Sequence, residues 1–334
     1  MHLDVFKGDG FTVSSLTDAV NKIPFVPGQI GQLGIFQESG VNTLTVGIEE
    51  KNGVLTLVSP SPRGGPGETI AKNRRTLRQL AIPHFQRDDS IMADEVQSIR
   101  AFGSESELET VMGKVAERLA VHSQDFEATA EYHRIGAIKG IVTYADGTTL
   151  NLFTEFGVSQ ETEIDFDLDN ASPAAGALRK KCDTVIRLVA NNLDGSPYSG
   201  VRSEVSDTFW DDLIAHSEVR ATYLNQQEAS QLRQGTAYQE FNFGGITWRN
   251  YRGSVGGTPF VAADKCHIYP VGVPNLFRCI YGPADYIETV NTMGQRMYVK
   301  QYPMPNDKGI NLEVQMNALH YCTRPKTLLK GKRT

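Results

Sequence analysis

The sequence predicts an α+β fold with mixed sheets, and three observations lead to that prediction. A long amphipathic helix begins at Ser104, which forms an S-x-x-E capping box with Glu107. Two hairpins are indicated by an Asn-Gly pair at residues 52–53 and an Asp-Gly pair at residues 146–147, because these pairs tolerate the positive φ angles of tight turns. Strand-like runs then dominate the C-terminal third of the chain.

Composition and charge describe an ordinary globular chain of 334 residues, of which 40% are hydrophobic and 22% are charged. The net charge of -6 argues against a dedicated DNA-binding protein, which usually carries a basic domain. Four widely spaced cysteines without a C-x-x-C pair fit a reducing compartment. The sequence has neither a signal-peptide pattern nor an apolar run of membrane-spanning length, so we expect a protein that is made in the cytosol.

The N-terminal part of the chain is predicted to be extended. Proline and glycine interrupt residues 1–36, which cannot bury a core alone and should lie as an arm over another surface. Residues 42–50 and 53–61 alternate in hydrophobicity and are predicted to pair across the Asn-Gly turn. The Gly-rich and basic stretch at residues 61–89 then forms the return of a long two-stranded excursion. Residues 88–103 are predicted to be a short helix with acids in its first turn.

The helix that begins at Ser104 is predicted to run to about Ala130, because apolar residues recur along it at i, i+3 and i+4 spacing. At the standard rise its roughly 27 residues span about 40 Å, so it would serve as a spine. Further amphipathic or capped segments predict three more helices, over residues 171–195, 207–219 and 226–235. Ser206 or Asp207 is expected to cap the second of them. The later runs, including residues 285–303, are predicted to be strands.

No motif for nucleotide, metal or catalytic chemistry is complete in this sequence. The glycines of residues 28–34 have GxxGxxG rather than GxGxxG spacing, and no GxxxxGK[ST] loop is present. Asp165, Asp167 and Asp169 match the first ligands of an EF-hand, but the loop lacks its glycine and its final glutamate. Their alternation with apolar residues is typical of a strand with one solvated face. We therefore expect no cofactor, metal or catalytic residue, and an enzyme that uses these three aspartates is a remote alternative.

Charge is distributed unevenly around the predicted excursion. Six basic side chains oppose a single acid, Glu68, within residues 63–87, namely Arg63, Lys72, Arg74, Arg75, Arg78 and Arg87. Acidic side chains follow directly, namely Asp88, Asp89, Asp94, Glu95, Glu105, Glu107 and Glu109. This layout suits docking between copies of the chain, in which charge complementarity sets register and specificity. A solvated loop explains the same layout equally well.

Seven strings spread along the chain carry a family resemblance. They are PRGGPG, DDSIMADEVQSIRAFGSESELETV, EYHRIGAIKG, NLFTEFGV, EVRATYLNQQ, FNFGGITWRNYRG and PVGVPNLFRCIYGPADYIETVNTMGQ. These strings resemble the phage major capsid protein E family, the lambda-type major head protein group of tailed phages and prophages. The resemblance covers about residues 20–330 and keeps the family's order along the chain.

The resemblance implies the Hong Kong 97 phage capsid fold. That fold has an N-terminal arm, an E-loop hairpin, a peripheral P-domain built on a long spine helix, and an axial A-domain. On this sequence it implies an arm over residues 1–36, an E-loop over 37–85, a P-domain over 86–195 with the spine at 104–130, an A-domain over 196–284, and P-domain strands with a tail over 285–334. The implied contacts between subunits come from the tip, base and acidic flank of the E-loop, namely Asn52, Gly53, Arg63, Lys72, Arg74, Arg75, Arg78, Asp88, Asp89, Glu105 and Glu107.

The function that this resemblance implies is that of a major capsid protein of a tailed double-stranded DNA bacteriophage or prophage, not an enzyme. Copies would assemble as hexamers and pentamers into an icosahedral shell, which encloses DNA without sequence-specific binding. Scaffolding protein, portal and decoration protein are the implied partners, and the lack of a long charged N-terminal extension predicts a separate scaffolding protein. The shell would be assembled in the host bacterial cytoplasm and become part of the virion, without a membrane. An encapsulin-like nanocompartment shell, which packages an enzyme, is the alternative.

Overall fold

Helices and mixed sheets make up the part of the chain that the computed structural model describes, which is residues 28–51, 75–95, 111–170, 172–224, 240–255 and 258–334. The helices in these ranges are α1 (Gln29–Gln32), α2 (Val111–Lys139), α3 (Leu152–Phe156), α4 (Ala177–Asn192), α5 (Asp207–Ala215) and α6 (Ser217–Leu224). The strands are β1 (Phe36–Gly40), β2 (Thr45–Lys51), β3 (Arg75–Ala81), β4 (Phe85–Met92), β5 (Ile141–Thr143), β6 (Thr149–Asn151), β7 (Ile164–Asp165), β8 (Gly200–Val205), β9 (Glu240–Phe243), β10 (Ile246–Asn250), β11 (Ser254–Val255), β12 (Thr258–Pro259), β13 (Lys265–Val271), β14 (Phe277–Tyr281), β15 (Tyr298–Pro303), β16 (Gly309–Met316), β17 (Ala318–Cys322) and β18 (Leu329–Lys332). The predicted α+β class is confirmed.

Helix α2 packs along a three-stranded antiparallel sheet, in which β16 lies between β15 and β4. Val115, Leu119 and Phe126 are buried on one side of this contact, and Ile91 and Val314 are buried on the other. The apolar stripe that the sequence predicts for the spine is therefore the surface that the helix buries against the sheet.

The spine helix is longer at its C-terminal end than the sequence analysis predicted. It continues nine residues beyond Ala130, to Lys139. Ile135 and Ile138 extend the apolar stripe into a second core, which is why the helix does not stop at Ala130. Gly140 follows with a φ of 81°, a left-handed conformation that commonly ends helices. The predicted start at Ser104 lies outside the described residues.

Strand β4 occupies residues that the sequence analysis assigned to the start of a short helix. It pairs with β16 along its whole length, from Phe85↔Met316 to Met92↔Gly309. A single 3-10 turn, Ala93–Glu95, follows it. The acidic pair at its centre is typical of a helix N-terminus, but pairing with β16 decides the conformation because tertiary contacts override local propensity. The helical prediction is thus wrong for the residues up to Met92.

A six-stranded sheet forms the other large part of the described chain, in the order β7-β18-β13-β8-β10-β9. Helices α4 and α5 pack on it through Val185, Val189 and Phe209, and Trp248 of β10 is fully buried in the same core. The hydroxyl of Ser206 accepts a hydrogen bond from the amide of the third residue of α5, and so caps this helix as predicted. The predicted helix over residues 226–235 lies outside the described part of the chain.

The core of this sheet takes residues from several parts of the sequence. Phe166, Leu178 and Leu329 belong to it, together with residues between 201 and 268. The family resemblance implied an A-domain over residues 196–284. The core of this sheet also includes residues on both sides of that range, which the resemblance placed in the P-domain and tail.

Two smaller sheets connect these parts. In the first, β14 lies between β1, to which it is parallel, and β17, to which it is antiparallel. In the second, β5 and β6 form the Asp-Gly hairpin that the sequence predicted, and Gly147 takes a φ of 85° in its turn. Helix α3 begins directly after this hairpin. The side chain of Asn151 caps it by accepting a hydrogen bond from the amide of Phe153 at 3.0 Å. Among the described residues, no helix has both the length and the apolar character that crossing a membrane requires.

Candidate assembly surfaces

The long excursion predicted near the N-terminus is closed by β2 and β3. These strands pair antiparallel, from Thr45↔Ala81 at the base to Lys51↔Arg75 at the far end. The prediction that the basic stretch contains the return strand is confirmed. Within the described residues β2 pairs with residues 75–81, and its predicted partner across the Asn-Gly turn, residues 53–61, lies outside the described part of the chain. Alternating hydrophobicity predicts a strand but not its partner, so the sequence alone could not identify residues 75–81 as the strand that pairs with β2.

The base of this hairpin is fixed to the body of the subunit. Val46 and Leu80 are buried in the core that also contains the end of the spine helix. The guanidinium of Arg78 donates a hydrogen bond to the backbone carbonyl of Glu155, and it lies beside Gly157. Arg78 therefore has a partner in its own chain, and the hairpin leaves the body from a defined position.

The predicted contact residues are divided between described and undescribed parts of the chain. Seven lie outside the described residues, namely Asn52, Gly53, Arg63, Lys72, Arg74, Glu105 and Glu107. Arg75 is placed by the backbone pairing of β3. The side chains of Arg78, Asp88 and Asp89 are placed, and the last two are consecutive residues of β4.

Asp89 joins β4 to the spine helix. Its carboxylate lies 2.9 Å from Nε2 of His122 and 3.8 Å from a guanidinium nitrogen of Arg118, both on α2. Partial burial on its own would raise the pKa of Asp89, but the Ser90 amide, His122 and Arg118 outweigh it and lower the pKa. Asp88 points to the opposite face of the strand and is exposed, so of this pair it is better placed to meet another molecule.

A buried charge cluster holds the first described residues against the spine helix. The carboxylate of Glu131 accepts hydrogen bonds from the amides of Ile30 at 2.6 Å and Gly31 at 3.1 Å, and from the hydroxyl of Tyr251 at 3.0 Å. Arg134, only 2% exposed, lies 3.6 Å from the same carboxylate. The end of the predicted arm is therefore a helical turn packed into the core, where an extended segment was expected. The first amides of a helical turn lack an acceptor within the turn, so those of Ile30 and Gly31 can donate to Glu131. These hydrogen bonds explain why a buried carboxylate is tolerated there.

An exposed apolar patch, which the sequence analysis did not identify, lies between β14 and β15. It consists of Ile287, Val290 and Met293, which are 90%, 62% and 62% exposed. The segment is ordered by its own hydrogen bonds, since the Thr289 hydroxyl donates to the carbonyl of Ala284 at 2.8 Å. Because large apolar side chains are exposed on one structured segment, this patch is a candidate interaction surface.

The patch also corrects the prediction of a continuous strand over residues 285–303. Residues Ile287–Thr289 form a 3-10 turn, and the strand begins only at Tyr298. The sequence contained a signal, because apolar residues recur every third position between polar ones. That spacing does not fit the two-residue period of a strand.

Asp165 and Asp167, two of the three aspartates considered as metal ligands, pair with lysines of their own chain. Asp165 lies 3.1 Å from the ammonium of Lys332 and accepts the amide of Asp167 at 2.8 Å. The apolar residues between them, Phe166 and Leu168, are buried. The predicted alternation of solvated acids and buried apolar residues is present, but the predicted strand is limited to Ile164–Asp165, and Asp167 has a φ of 54°. Within the described ranges, no group of three potential metal-binding side chains is present.

Comparison with known families and proteins gives one consistent result. The family model for phage major capsid protein E matches residues 12–333. The major capsid protein of Salmonella phage Felix O1 is 29% identical, and the match covers 96% of this chain and 95% of that protein. The major capsid protein of Pseudomonas phage KPP10 is 28% identical, and the match covers 97% of each.

Solved structures show the same fold at low sequence identity. A candidate capsid protein from a prophage of E. coli CFT073 superposes with a TM-score of 0.58 at 13% identity, over 97% of this chain and 99% of that one. The mature capsid of bacteriophage PhiM1 gives a TM-score of 0.51 at 14% identity, over 100% of this chain and 92% of that one. The order and packing of the elements are therefore those of the Hong Kong 97 capsid fold.

Proposed function

Because this chain belongs to the phage major capsid protein E family, we propose that it is the major head protein of a tailed double-stranded DNA bacteriophage or prophage. The observation that carries this proposal is the length of the family match, which covers residues 12–333 and so includes every described element. The two relatives over nearly the whole chain are both phage major capsid proteins, which favours this function over an encapsulin-like compartment. The role is structural, and the finished protein is a component of the virion.

The elements divide naturally into the parts of a capsid subunit. We assign the hairpin of β2 and β3 to the E-loop, and α2 with the β15-β16-β4 sheet to the P-domain. The six-stranded sheet with α4, α5 and α6 forms the A-domain. This assignment moves β7, α4 and β18 into the A-domain, because their side chains share its hydrophobic core.

Assembly into hexamers and pentamers follows from this division. The E-loop leaves the body from a base fixed by buried residues, so it can reach a neighbouring subunit without unfolding its own. Arg74 and Arg75 on this loop would meet acids of the neighbour, and Asp88 is an exposed acid that could receive them. Many weak contacts of this kind become strong when a closed shell makes them simultaneously.

The remaining partners follow from the shell itself. The subunits would assemble in the host bacterial cytoplasm around a separate scaffolding protein, with a portal at one vertex and a decoration protein outside. The shell encloses double-stranded DNA without reading its sequence, and the net charge of -6 is consistent with a lining that does not hold phosphates tightly.

Negative-stain electron microscopy tests the proposed function directly. The full chain is purified alone and after co-expression with the genes that neighbour it. Closed shells, tubes or capsomer rings are the expected result. A strictly monomeric protein under both conditions would contradict a capsid role.

Charge reversal at the hairpin tests the proposed contacts separately. We expect Arg74→Glu with Arg75→Glu to abolish or strongly reduce shells while circular dichroism of the subunit stays unchanged. The control pair is Arg74→Lys with Arg75→Lys, which keeps the charge and should still assemble. Normal shells from the glutamate variant would show that these arginines do not guide assembly.

A further inference from the structure

A positively charged cavity lies where the end of the spine helix meets the six-stranded sheet. Its volume is about 300 Å³. Tyr132 and Lys139 line it from α2, Lys265 and His267 from β13, and Lys330 from β18. None of these residues belongs to the assembly surfaces described above.

The pairing of β13 and β18 explains why the sheet contributes two lysines to the cavity. His267 lies directly opposite Lys330 in the antiparallel register. Lys265 is two residues before His267, so strand alternation places it on the same face. The third ammonium comes from a different element, because α2 ends at Lys139 as it reaches this face.

The positive charge of the cavity is only partly neutralised. Glu163 lies 2.8 Å from the ammonium of Lys265 and 3.6 Å from that of Lys330. No carboxylate among the described residues lies within ion-pair distance of Lys139. Three ammonium groups therefore share one carboxylate, and the surplus is about two positive charges.

The pKa of His267 reflects the same surplus of positive charge, whereas the pKa of Lys139 reflects its burial. Burial lowers the pKa of Lys139 to about 8. Burial and the three neighbouring lysines lower the pKa of His267 to about 3. The imidazole is thus neutral near pH 7, and it can donate one hydrogen bond without adding charge. A bound anion would compensate the repulsion from the lysines that contributes to the lowered pKa of His267.

We propose that this cavity binds a compact phosphate-type dianion, held by Lys139, Lys265 and Lys330. Two features favour phosphate over a carboxylate. Glu163 already supplies one carboxylate to the site, and a doubly charged anion matches the remaining surplus of about two positive charges. The ligand would link α2 to the six-stranded sheet, so binding should stabilise the subunit. This inference does not depend on the shell function.

The test is binding of inorganic phosphate to the full chain, measured by calorimetry and by thermal unfolding at constant ionic strength. We expect saturable binding and a Tm that rises with phosphate concentration, whereas chloride and acetate at the same ionic strength leave it unchanged. Lys139→Met should weaken Kd about tenfold or more, because one charge-assisted contact is lost. Lys181→Met, on the surface of α4 and near Asp167, is the matched control and should bind as the wild type does.

The outcomes separate the proposal from its alternatives. No saturable effect of phosphate, an equal effect of acetate, or an unchanged Kd in Lys139→Met would each overturn it. If Lys139→Met does not fold, Lys330→Gln takes its place with the same expected loss. A short DNA duplex, measured by fluorescence anisotropy, distinguishes the source of the phosphate. Lys139-dependent binding of the duplex identifies a nucleic-acid phosphate as the ligand, and binding of inorganic phosphate alone identifies a free anion.

Discussion

His133 lies in aromatic surroundings that hold its imidazole in the neutral form. Only 1% of it is exposed, and its ring lies 5.1 Å from that of Phe85, 5.2 Å from Tyr144 and 5.9 Å from His320. Its Nδ1 has no hydrogen-bond partner in the described part of the chain. Burial, and then the nearby charge of Arg134, lower the pKa of His133 to about 4. The side chain therefore acts as an aromatic packing residue that resists protonation.

This environment makes the stability of the subunit depend on pH. In the unfolded state His133 regains its ordinary pKa of about 6.5. Between pH 6.5 and 4 the unfolded chain therefore binds a proton at this residue that the folded chain does not bind. Its contribution is fully present above pH 6.5 and is lost as the pH falls towards 4. We expect His133→Phe to reduce the slope of unfolding free energy against pH by up to about 1.4 kcal/mol per pH unit in this window.

Urea unfolding of the free subunit between pH 4.5 and 7.5 measures this slope. The wild type and His133→Phe are compared at each pH, and their difference above pH 7 provides the internal control for packing. His267 and His320 are also buried with a lowered pKa and remain in the variant, so the slope of His133→Phe should be smaller than that of the wild type but not zero. Parallel curves for the two proteins would show that His133 does not bind a proton on unfolding.

Charged residues show what the sequence can and cannot predict at this scale. The sequence identified Asp89 correctly as part of a charged run. It could not show that His122 and Arg118, about 30 residues away, neutralise Asp89 within the same chain. Glu131 was not singled out at all, because its partners are backbone amides of a segment 100 residues earlier. Such partners leave no pattern in the spacing of charges.

Elements were predictable where one amphipathic face decides the structure. The period of α4 and the capping residue of α5 are local features, and both were predicted. Strand pairing is not local, and the errors are concentrated there. β4 was predicted to be helical because its acids are typical of a helix N-terminus, and its pairing with β16 leaves no local signal in the sequence. The pairing of β2 with residues 75–81 likewise joins segments that are distant in the sequence. The candidate assembly surfaces were hard to predict for the same reason, because they depend on contacts between segments that are distant in the sequence.

The close approach of α2 to the β5 strand depends on Gly136. A Cβ built at this position would lie 2.9 Å from the Cα of Val142 and 3.2 Å from the carbonyl oxygen of Ile141, which are both backbone atoms. Backbone cannot move aside as a flexible side chain can. The glycine is therefore required by packing, even though it weakens the helix by about 1 kcal/mol relative to alanine.

We expect Gly136→Ala to destabilise the subunit by about 1–3 kcal/mol, because overpacking outweighs the gain in helix propensity. Chemical denaturation of the free subunit measures the change. Ala116→Gly, at an exposed position of the same helix, is the reference for propensity and should cost about 1 kcal/mol. A stabilised Gly136→Ala protein would show that the helix and the strand have room to separate.

At the scale of the whole molecule, the subunit has surfaces that its own fold does not cover. The patch of Ile287, Val290 and Met293 is held in place by hydrogen bonds, yet its apolar side chains face solvent. Full burial of one such side chain contributes about 1.5–3 kcal/mol. A shell of many copies would gain this contribution at every equivalent contact, so a second copy of this chain is the partner that we propose for the patch.

Replacement of Ile287 by aspartate should therefore separate folding from assembly. The residue is 90% exposed, so the free energy of unfolding of the free subunit should change by no more than about 0.5 kcal/mol. The yield of shells in electron microscopy should fall sharply, because a charge would have to be buried in every contact. Glu288→Gln, in the same turn, changes charge but leaves the apolar patch intact, and it should still assemble. Full shell yield from Ile287→Asp would show that the patch stays exposed in the virion, and the contacts that close the shell would then lie elsewhere on the subunit.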